Sequence, residues 1–151
     1  METIANSIES SKITDIRTTK ATILLIDNDI ASYFLVYEIL SEYNIEVVHA
    51  RCGKEGLKLL MALSSIQLVI TELLLPQLNG FEVLREIKRI NPYMQVITQT
   101  ANVMNNMKQT CLNAGFDEFI EKPINIDFFA SKVLKYTIPV MISNNSIDRS
   151  N

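Results

Sequence analysis

Five short apolar runs, separated by longer segments in which apolar residues recur every three or four positions, constrain this chain more than any other feature. The runs are Thr22 to Ile26 (TILLI), Ile45 to His49 (IEVVH), Gln67 to Thr71 (QLVIT), Met94 to Thr98 (MQVIT) and Asp117 to Ile120 (DEFI). Strand patterns alternating with helical ones are the mark of strands joined by crossover helices in a parallel sheet. Three of the runs are rich in Val and Ile and apolar nearly throughout, as a strand covered on both faces requires.

The intervening segments follow helical logic. From Ile30 to Tyr43, the residues Ala31, Leu35, Ile39 and Tyr43 recur at spacings of four, flanked by Val36 and Leu40, and predict the face that packs on the sheet. Val103, Met107, Cys111 and Ala114 form a similar stripe, closed by Gly115, so Cys111 reads as core rather than as a reactive thiol. Asn79-Gly80 opens a third helix through Phe81, Leu84 and Ile87, which stops at Asn91-Pro92 because the residue before proline is pushed out of the helical region. The last follows Lys122-Pro123, with Ile126, Phe129, Val133 and Tyr136 on one face. A length of 151 residues suits one domain, read over 21–137, with tails at 1–20 and 138–151.

Composition removes several classes of function. With 48% hydrophobic and 21% charged residues the chain is globular, and a net charge of −3 gives no electrostatic footprint for nucleic acid or an anionic membrane. Cys52 and Cys111 are in no metal-ligand spacing and read as reduced thiols. The polar N-terminus lacks the basic start and apolar core of a secretory signal, and no stretch reaches the roughly 20 apolar residues that span a bilayer. A soluble, cytoplasmic protein is expected.

In an open parallel sheet, ligands bind outside the carboxyl ends of the strands, where strand order reverses. Asp27, Asn28 and Asp29 follow the first run, Glu72 the third, Thr100 the fourth and Lys122 the fifth. Each has an ordinary explanation when taken singly: Asn28 or Asp29 caps a helix, Glu72 is a loop carboxylate, Thr100 a turn hydroxyl, Lys122 a surface cation before a proline turn. Their recurrence at equivalent strand ends is what points to a site.

IDND at 26–29, TELLLPQLNGFEVL at 71–84, VITQTA at 96–101 and FIEKP at 119–123 resemble the receiver domain of two-component response regulators (CheY-like). Periodicity alone gives an α/β parallel sheet. The resemblance, which spans Ala21 to Thr137, implies a doubly wound, flavodoxin-like sheet of five strands in the order 2-1-3-4-5, with five helices in a three-layer αβα arrangement. In that family an Asp ending the third strand takes a phosphoryl group from a histidine kinase, with Mg²⁺ held by that Asp and an acidic pair after strand one. The resemblance then makes Asp27 the first acid of the pair, Thr100 the switch hydroxyl, Lys122 the conserved-type lysine and Phe119 the rotating aromatic, while Leu74 offers its backbone carbonyl to the metal.

Two positions depart from the family pattern. Four residues before Pro76, the phosphoacceptor position carries Glu72, and the second acid of the pair is Asn28. A Glu carboxylate sits about 1.5 Å further out than an Asp, badly placed as a nucleophile and well placed to accept bonds from Lys122 and Thr100. Mg²⁺ wants near-octahedral oxygen ligands, one or two of them carboxylates. With Asn28 in place of an acid, Asp27 and Glu72 are expected to bind it weakly at best. Asp29 begins the first helix in the family register and points away.

The expectation is therefore a stand-alone atypical receiver that is not an enzyme, requires no cofactor and acts through protein contacts. Its partner would be a histidine kinase or an output protein, met on the face of helix four, strand five and helix five, with a homodimer through that face also compatible. Phe34 and Tyr37, off the main stripe of the first helix, form a second small patch, and His49 reads as a solvated imidazole at a strand end. Two alternatives stand beside this: an ordinary Mg²⁺-dependent phosphoacceptor receiver, and a flavodoxin-like enzyme or nucleotide binder. The latter is disfavoured because DND follows strand one where a phosphate would need a Gly-rich loop.

Overall fold

A computed structural model of the chain describes residues 20–137, so the tails expected at 1–20 and 138–151 lie, Lys20 apart, outside the described residues. The elements in chain order are β1 (Ala21–Ile26), α1 (Ile30–Ser41), β2 (Ile45–Ala50), α2 (Gly53–Ala62), β3 (Ile66–Thr71), α3 (Gly80–Ile90), β4 (Gln95–Thr100), α4 (Met107–Ala114), β5 (Glu118–Glu121) and α5 (Ile126–Thr137). All strand pairs are parallel, in the order β2-β1-β3-β4-β5. This is the expected doubly wound sheet with five helices.

Side chains alternate across a strand, and the two faces separate cleanly. Ile23, Leu25, Leu68, Ile70, Ile97 and Ile120 pack with Val36 and Leu40 of α1 and Phe129 and Val133 of α5. Leu24, Ile26, Val69, Val96 and Phe119 pack on the other side with Leu60 of α2, Val83 and Ile87 of α3 and Cys111 of α4. The same period carried past the strand ends puts Asp27, Glu72, Gln99 and Lys122 on the α1/α5 face of the carboxyl edge, and Thr100 on the opposite face with Phe119.

Local signals set most boundaries. Asn79 caps α3 by accepting the Glu82 N–H at 3.0 Å while its own N–H donates to the Glu82 carboxylate at 2.8 Å, a complete capping box. Gly115 closes α4 at φ 113°. Cys111 is fully buried as expected, and burial pushes its thiol up to about 11.

Three helix expectations need correction. The buried line of α1 is Ser32, Val36, Ile39 and Leu40, with Ala31, Leu35 and Tyr43 exposed. That helix carries apolar or aromatic side chains on every side, so spacing did not select the face. Helix α4 starts at Met107 rather than Val103, because Asn105 and Asn106 lie at φ 52° and 57°, a left-handed stretch that a helix cannot cross. Val103 and Met104 are consequently exposed, and Ala114, in the last turn, is exposed as well. On α5 the buried residues are Phe129, Ala130, Val133 and Thr137, and Ile126 is exposed.

Candidate functional site

Backbone pairing at the strand ends holds the site residues before any side chain acts. The Asp27 N–H donates to Ala50 O at 3.0 Å and the Glu72 N–H to Ile26 O at 2.9 Å, extending the ladders of β1 one residue beyond the strands. The Lys122 N–H donates to Thr100 O at 2.9 Å, just before the cis Lys122–Pro123 peptide. Gly80 fixes the far side of Glu72. A Cβ there would lie 2.6 Å from Glu72 O and 2.8 Å from Leu73 Cα, so only glycine lets the start of α3 fold back onto this backbone.

Upon that frame one ammonium joins three elements. Lys122 Nζ donates to Asp27 Oδ2 at 2.8 Å, Glu72 Oε2 at 2.9 Å and Ser32 Oγ at 3.2 Å, one acceptor for each of its hydrogens. Asp27 Oδ1 accepts the Asp29 N–H at 2.9 Å. Glu72 Oε1 curls back to accept its own following N–H groups, Leu73 at 2.8 Å and Leu74 at 3.2 Å. All four carboxylate oxygens are thus occupied by donors. Burial works against the Lys122 ammonium, but the carboxylates of Asp27 and Glu72 outweigh it and hold its pKa above the ordinary lysine value.

Gln99 lies under this cluster with no exposure, its Nε2 donating to Asp27 Oδ2 at a long 3.5 Å and its Oε1 without a partner. Spacing and strand ends did not reveal Gln99 or Ser32. Both are defined by the fold: Ser32 is the one polar residue on the buried line of α1, and Gln99 follows Ile97 by two on the face that packs against α1 and α5.

The remaining predicted residues divide. Asn28 is exposed and outside the cluster. Asp29 caps α1 as expected, accepting the Ala31 N–H at 3.0 Å and the Ser32 hydroxyl at 3.3 Å. Thr100 is fully buried on the opposite face, where its Oγ accepts the Asn102 N–H at 3.1 Å, so the bond anticipated between Glu72 and Thr100 is replaced by this turn contact. Leu74 has an exposed side chain and contributes its N–H to Glu72. Phe119 is buried, and with Val103, Met107, Lys108 and Phe128 it lines a groove of about 410 Å³ between α4 and α5. His49, expected as a solvated imidazole, is half-buried. It stacks on Tyr33 with centroids 4.5 Å apart, and because a carbonyl only accepts, its Nε2 carries the proton donated to Asp27 O at 2.8 Å. Phe34 and Tyr37 are exposed as expected. Among the described residues no group of three or more His, Cys, Asp or Glu is arranged to hold a metal ion, and no helix is long and apolar enough to cross a membrane.

The chain belongs to the response regulator receiver domain family, the CheY-like domains of two-component signalling: residues 23–134 of its 151 match that family's model. It is similar to the crystal structure of a response regulator receiver domain protein from Clostridium thermocellum, with 30% identity and a TM-score of 0.71 over 77% of this chain and 93% of that one. A CheY-like receiver protein from Methanospirillum hungatei JF-1 matches with 28% identity and a TM-score of 0.71, over 78% and 93% of the two chains. Among curated proteins, a cyclic di-GMP phosphodiesterase of Thermotoga maritima is 27% identical over 112 residues, 74% of this chain and 30% of that protein. The sensor histidine kinase RcsC of Salmonella typhimurium is 27% identical over 118 residues, 78% of this chain and 12% of that protein. Two-component response regulator ORR5 of Oryza sativa subsp. japonica is 26% identical over 119 residues, 75% of this chain and 88% of that one. The chain therefore spans less than a third of the phosphodiesterase and of the kinase.

Proposed function

We propose that this receiver signals without being phosphorylated, as a binding module rather than an enzyme. Glu72 stands where the family's phosphoacceptor Asp would be, and its carboxylate takes the donors that would otherwise meet a phosphoryl group. The observation that carries this reading is the engagement of both Glu72 oxygens, one by Lys122 Nζ at 2.9 Å and the other by the Leu73 and Leu74 N–H groups. Attack on a phosphodonor would require releasing that clasp. A charge-assisted bond of this kind contributes about 1.5 to 3 kcal/mol, a bias of roughly ten- to a hundredfold between two states, short of the ~5.5 kcal/mol that a full switch from 1:99 to 99:1 needs.

The reading requires no cofactor. Its output is a contact with a histidine kinase or an output protein through the face of α4, β5 and α5, where the groove beside Phe119 offers an apolar floor between Lys108 and Glu121. A homodimer through this face is an outcome that sedimentation would reveal. The decisive experiment is intact-mass spectrometry after incubation with a small-molecule phosphodonor and Mg²⁺, on the wild type and on Glu72→Asp. No mass gain by the wild type is expected, with or without a gain by the variant. A phosphorylated wild type would make this an ordinary phosphoacceptor receiver.

A further inference from the structure

We propose that the groove between α1 and the start of α5 is a docking site for the chain's own residues 12–17, whose cations and isoleucines match the groove's carboxylates and apolar walls. This goes beyond the pocket at the strand ends and holds whether or not Glu72 is phosphorylated.

The groove, of about 290 Å³, joins two kinds of side chain. Leu35, Tyr43 and Ile126 line it and are 40%, 42% and 57% exposed, off the buried lines of their helices. Glu38, Glu42 and Asp127 stand among them, all exposed. Among the described residues none of these three carboxylates pairs with a cation. An apolar lining ringed by carboxylates suits a segment that carries both apolar and basic residues.

Charge decides between three occupants. A second copy meeting this groove face to face would set the same three carboxylates against themselves, and like charges brought together in an interface are penalised. Residues 138–151 carry one acid and one base, Asp148 and Arg149, and offer no complement. Residues 12–20, KITDIRTTK, carry the cations Lys12, Arg17 and Lys20 against the single acid Asp15, with Ile13 and Ile16 between them.

Reach agrees with charge. Residues 12–19 lie outside the described residues, but Lys20 is placed, beside Tyr37 and Ser41 of α1. At about 100° per residue, that flank lies roughly a third of a turn from the Leu35, Glu38 and Glu42 flank, or about 10 to 13 Å around a helix about 10 to 12 Å across. Three to four extended residues cover this at about 3.3 to 3.6 Å each. Arg17 is therefore the residue that arrives at Glu38 and Glu42, and Ile16, Ile13 and Lys12 run on toward Leu35, Ile126 and Asp127. A tether this short holds the segment at an effective concentration of about millimolar, so a contact too weak to form between separate molecules is populated within one. While seated, the segment closes this flank of α1 to other partners.

The test is proteolysis of the 151-residue chain with thermolysin, which cuts before isoleucine, read by intact mass at the bonds preceding Ile13 and Ile16. Each rate is compared with that of a free peptide of residues 1–20 carrying the same substitutions, which removes changes in the protease's own preference. The wild-type chain is expected to be cut at least about tenfold more slowly than its peptide, the factor for a segment docked about nine-tenths of the time when cleavage follows the open fraction. Glu38→Lys with Glu42→Lys should abolish that protection, Arg17→Glu should abolish it too, and the chain with all three substitutions should regain it. Glu38 and Glu42 are exposed and lysine is a good helix former, so the fold is retained, as far-UV circular dichroism checks. Should the groove variant fail to fold, Arg17→Glu carries the test from outside the folded elements. A wild type cut as fast as its peptide overturns the inference, as does protection that survives either charge reversal. A triple variant cut as fast as the variants it combines overturns the pairing of Arg17 with these carboxylates, and the inference with it. Protection that falls on about tenfold dilution of the protein assigns the segment to a second copy's groove and overturns docking within the chain.

Discussion

Two ion clusters sit at opposite ends of β5, and each is the inverse of the other. At the carboxyl end one ammonium, Lys122, serves two carboxylates at 2.8 and 2.9 Å. At the amino end one carboxylate, Glu118, accepts from Lys132 at 3.3 Å, Lys135 at 3.4 Å and the Tyr136 hydroxyl at 3.1 Å. Exposure separates them: 18% for the Lys122 side chain and 1% for Asp27, against 27% and 60% for Lys132 and Lys135. Water competes for the second set of donors and hardly for the first. The same chemistry therefore makes a shielded ion pair in the pocket and only tethers α5 to the sheet edge at the flank.

The largest expected effect breaks the first cluster. Lys122→Met leaves two carboxylates partly buried without a counter-charge, and removing one partner of a buried pair costs about 3 to 5 kcal/mol. Without added divalent ion, chemical unfolding of the variant should show a loss of that order, a large share of the roughly 5 to 15 kcal/mol that holds a domain together. Glu118→Gln should cost no more than about 1 kcal/mol. Losses of equal size would erase the distinction between the clusters.

That distinction was only partly legible in the sequence. Asp27, Glu72 and Lys122 were found because a strand's end is marked by the end of an apolar run, and topology then brings those ends to one edge. Ser32 and Gln99 escaped because the features that define them are three-dimensional. Helix α1 is apolar on all sides, so nothing in its spacing singles out the Ser32 face, and VITQT reads as a strand whichever way Gln99 points. Thr100 was placed at the correct edge but on the wrong face for Glu72, a consequence of period-two alternation in β4 once Ile97 is known to face α5. The start of α4 depended on two successive left-handed Asn residues, a backbone choice that an amphipathic stripe conceals.

Alkaline pH sharpens the comparison with a smaller effect. Burial disfavours the Lys122 ammonium, the two carboxylates favour it more, and its folded pKa lies above the unfolded value of about 10.4. Its stabilisation is therefore complete below about 10.4 and is lost as pH rises through the higher folded value. Tyr136 has the same sign: burial, then Glu118, push its phenol up to about 12, so its share is lost between the unfolded value of about 10 and that figure. Urea midpoints above pH ~10 should fall steeply for the wild type, nearly as steeply for Tyr136→Phe, and with a visibly flatter slope for Lys122→Met. A Lys122→Met profile parallel to the wild type would show that the ammonium is not what the alkaline limb reports.

The smallest effect lies on the acid side and belongs to the flank. Burial raises the pKa of Glu118, but bonds from Lys132 and Tyr136, then the Lys132 charge and a bond from Lys135, bring it below the ordinary carboxylate value. A depressed acid stabilises the fold above its unfolded pKa of about 4.3 and loses that contribution as pH falls through the lower folded value. The stability difference between wild type and Glu118→Gln, at most about 1 kcal/mol at neutral pH, should therefore shrink below pH ~4.3. Salt provides the sharper test. At about 1 M ionic strength the screening length is about 3 Å, comparable to the Glu118 contacts and acting through solvent that reaches Lys135 but scarcely Asp27. The Glu118→Gln difference should vanish in high salt at neutral pH while the Lys122→Met difference persists. If salt removed both, the pocket would be as open to solvent as the flank, and the contrast between the two clusters would fall with it.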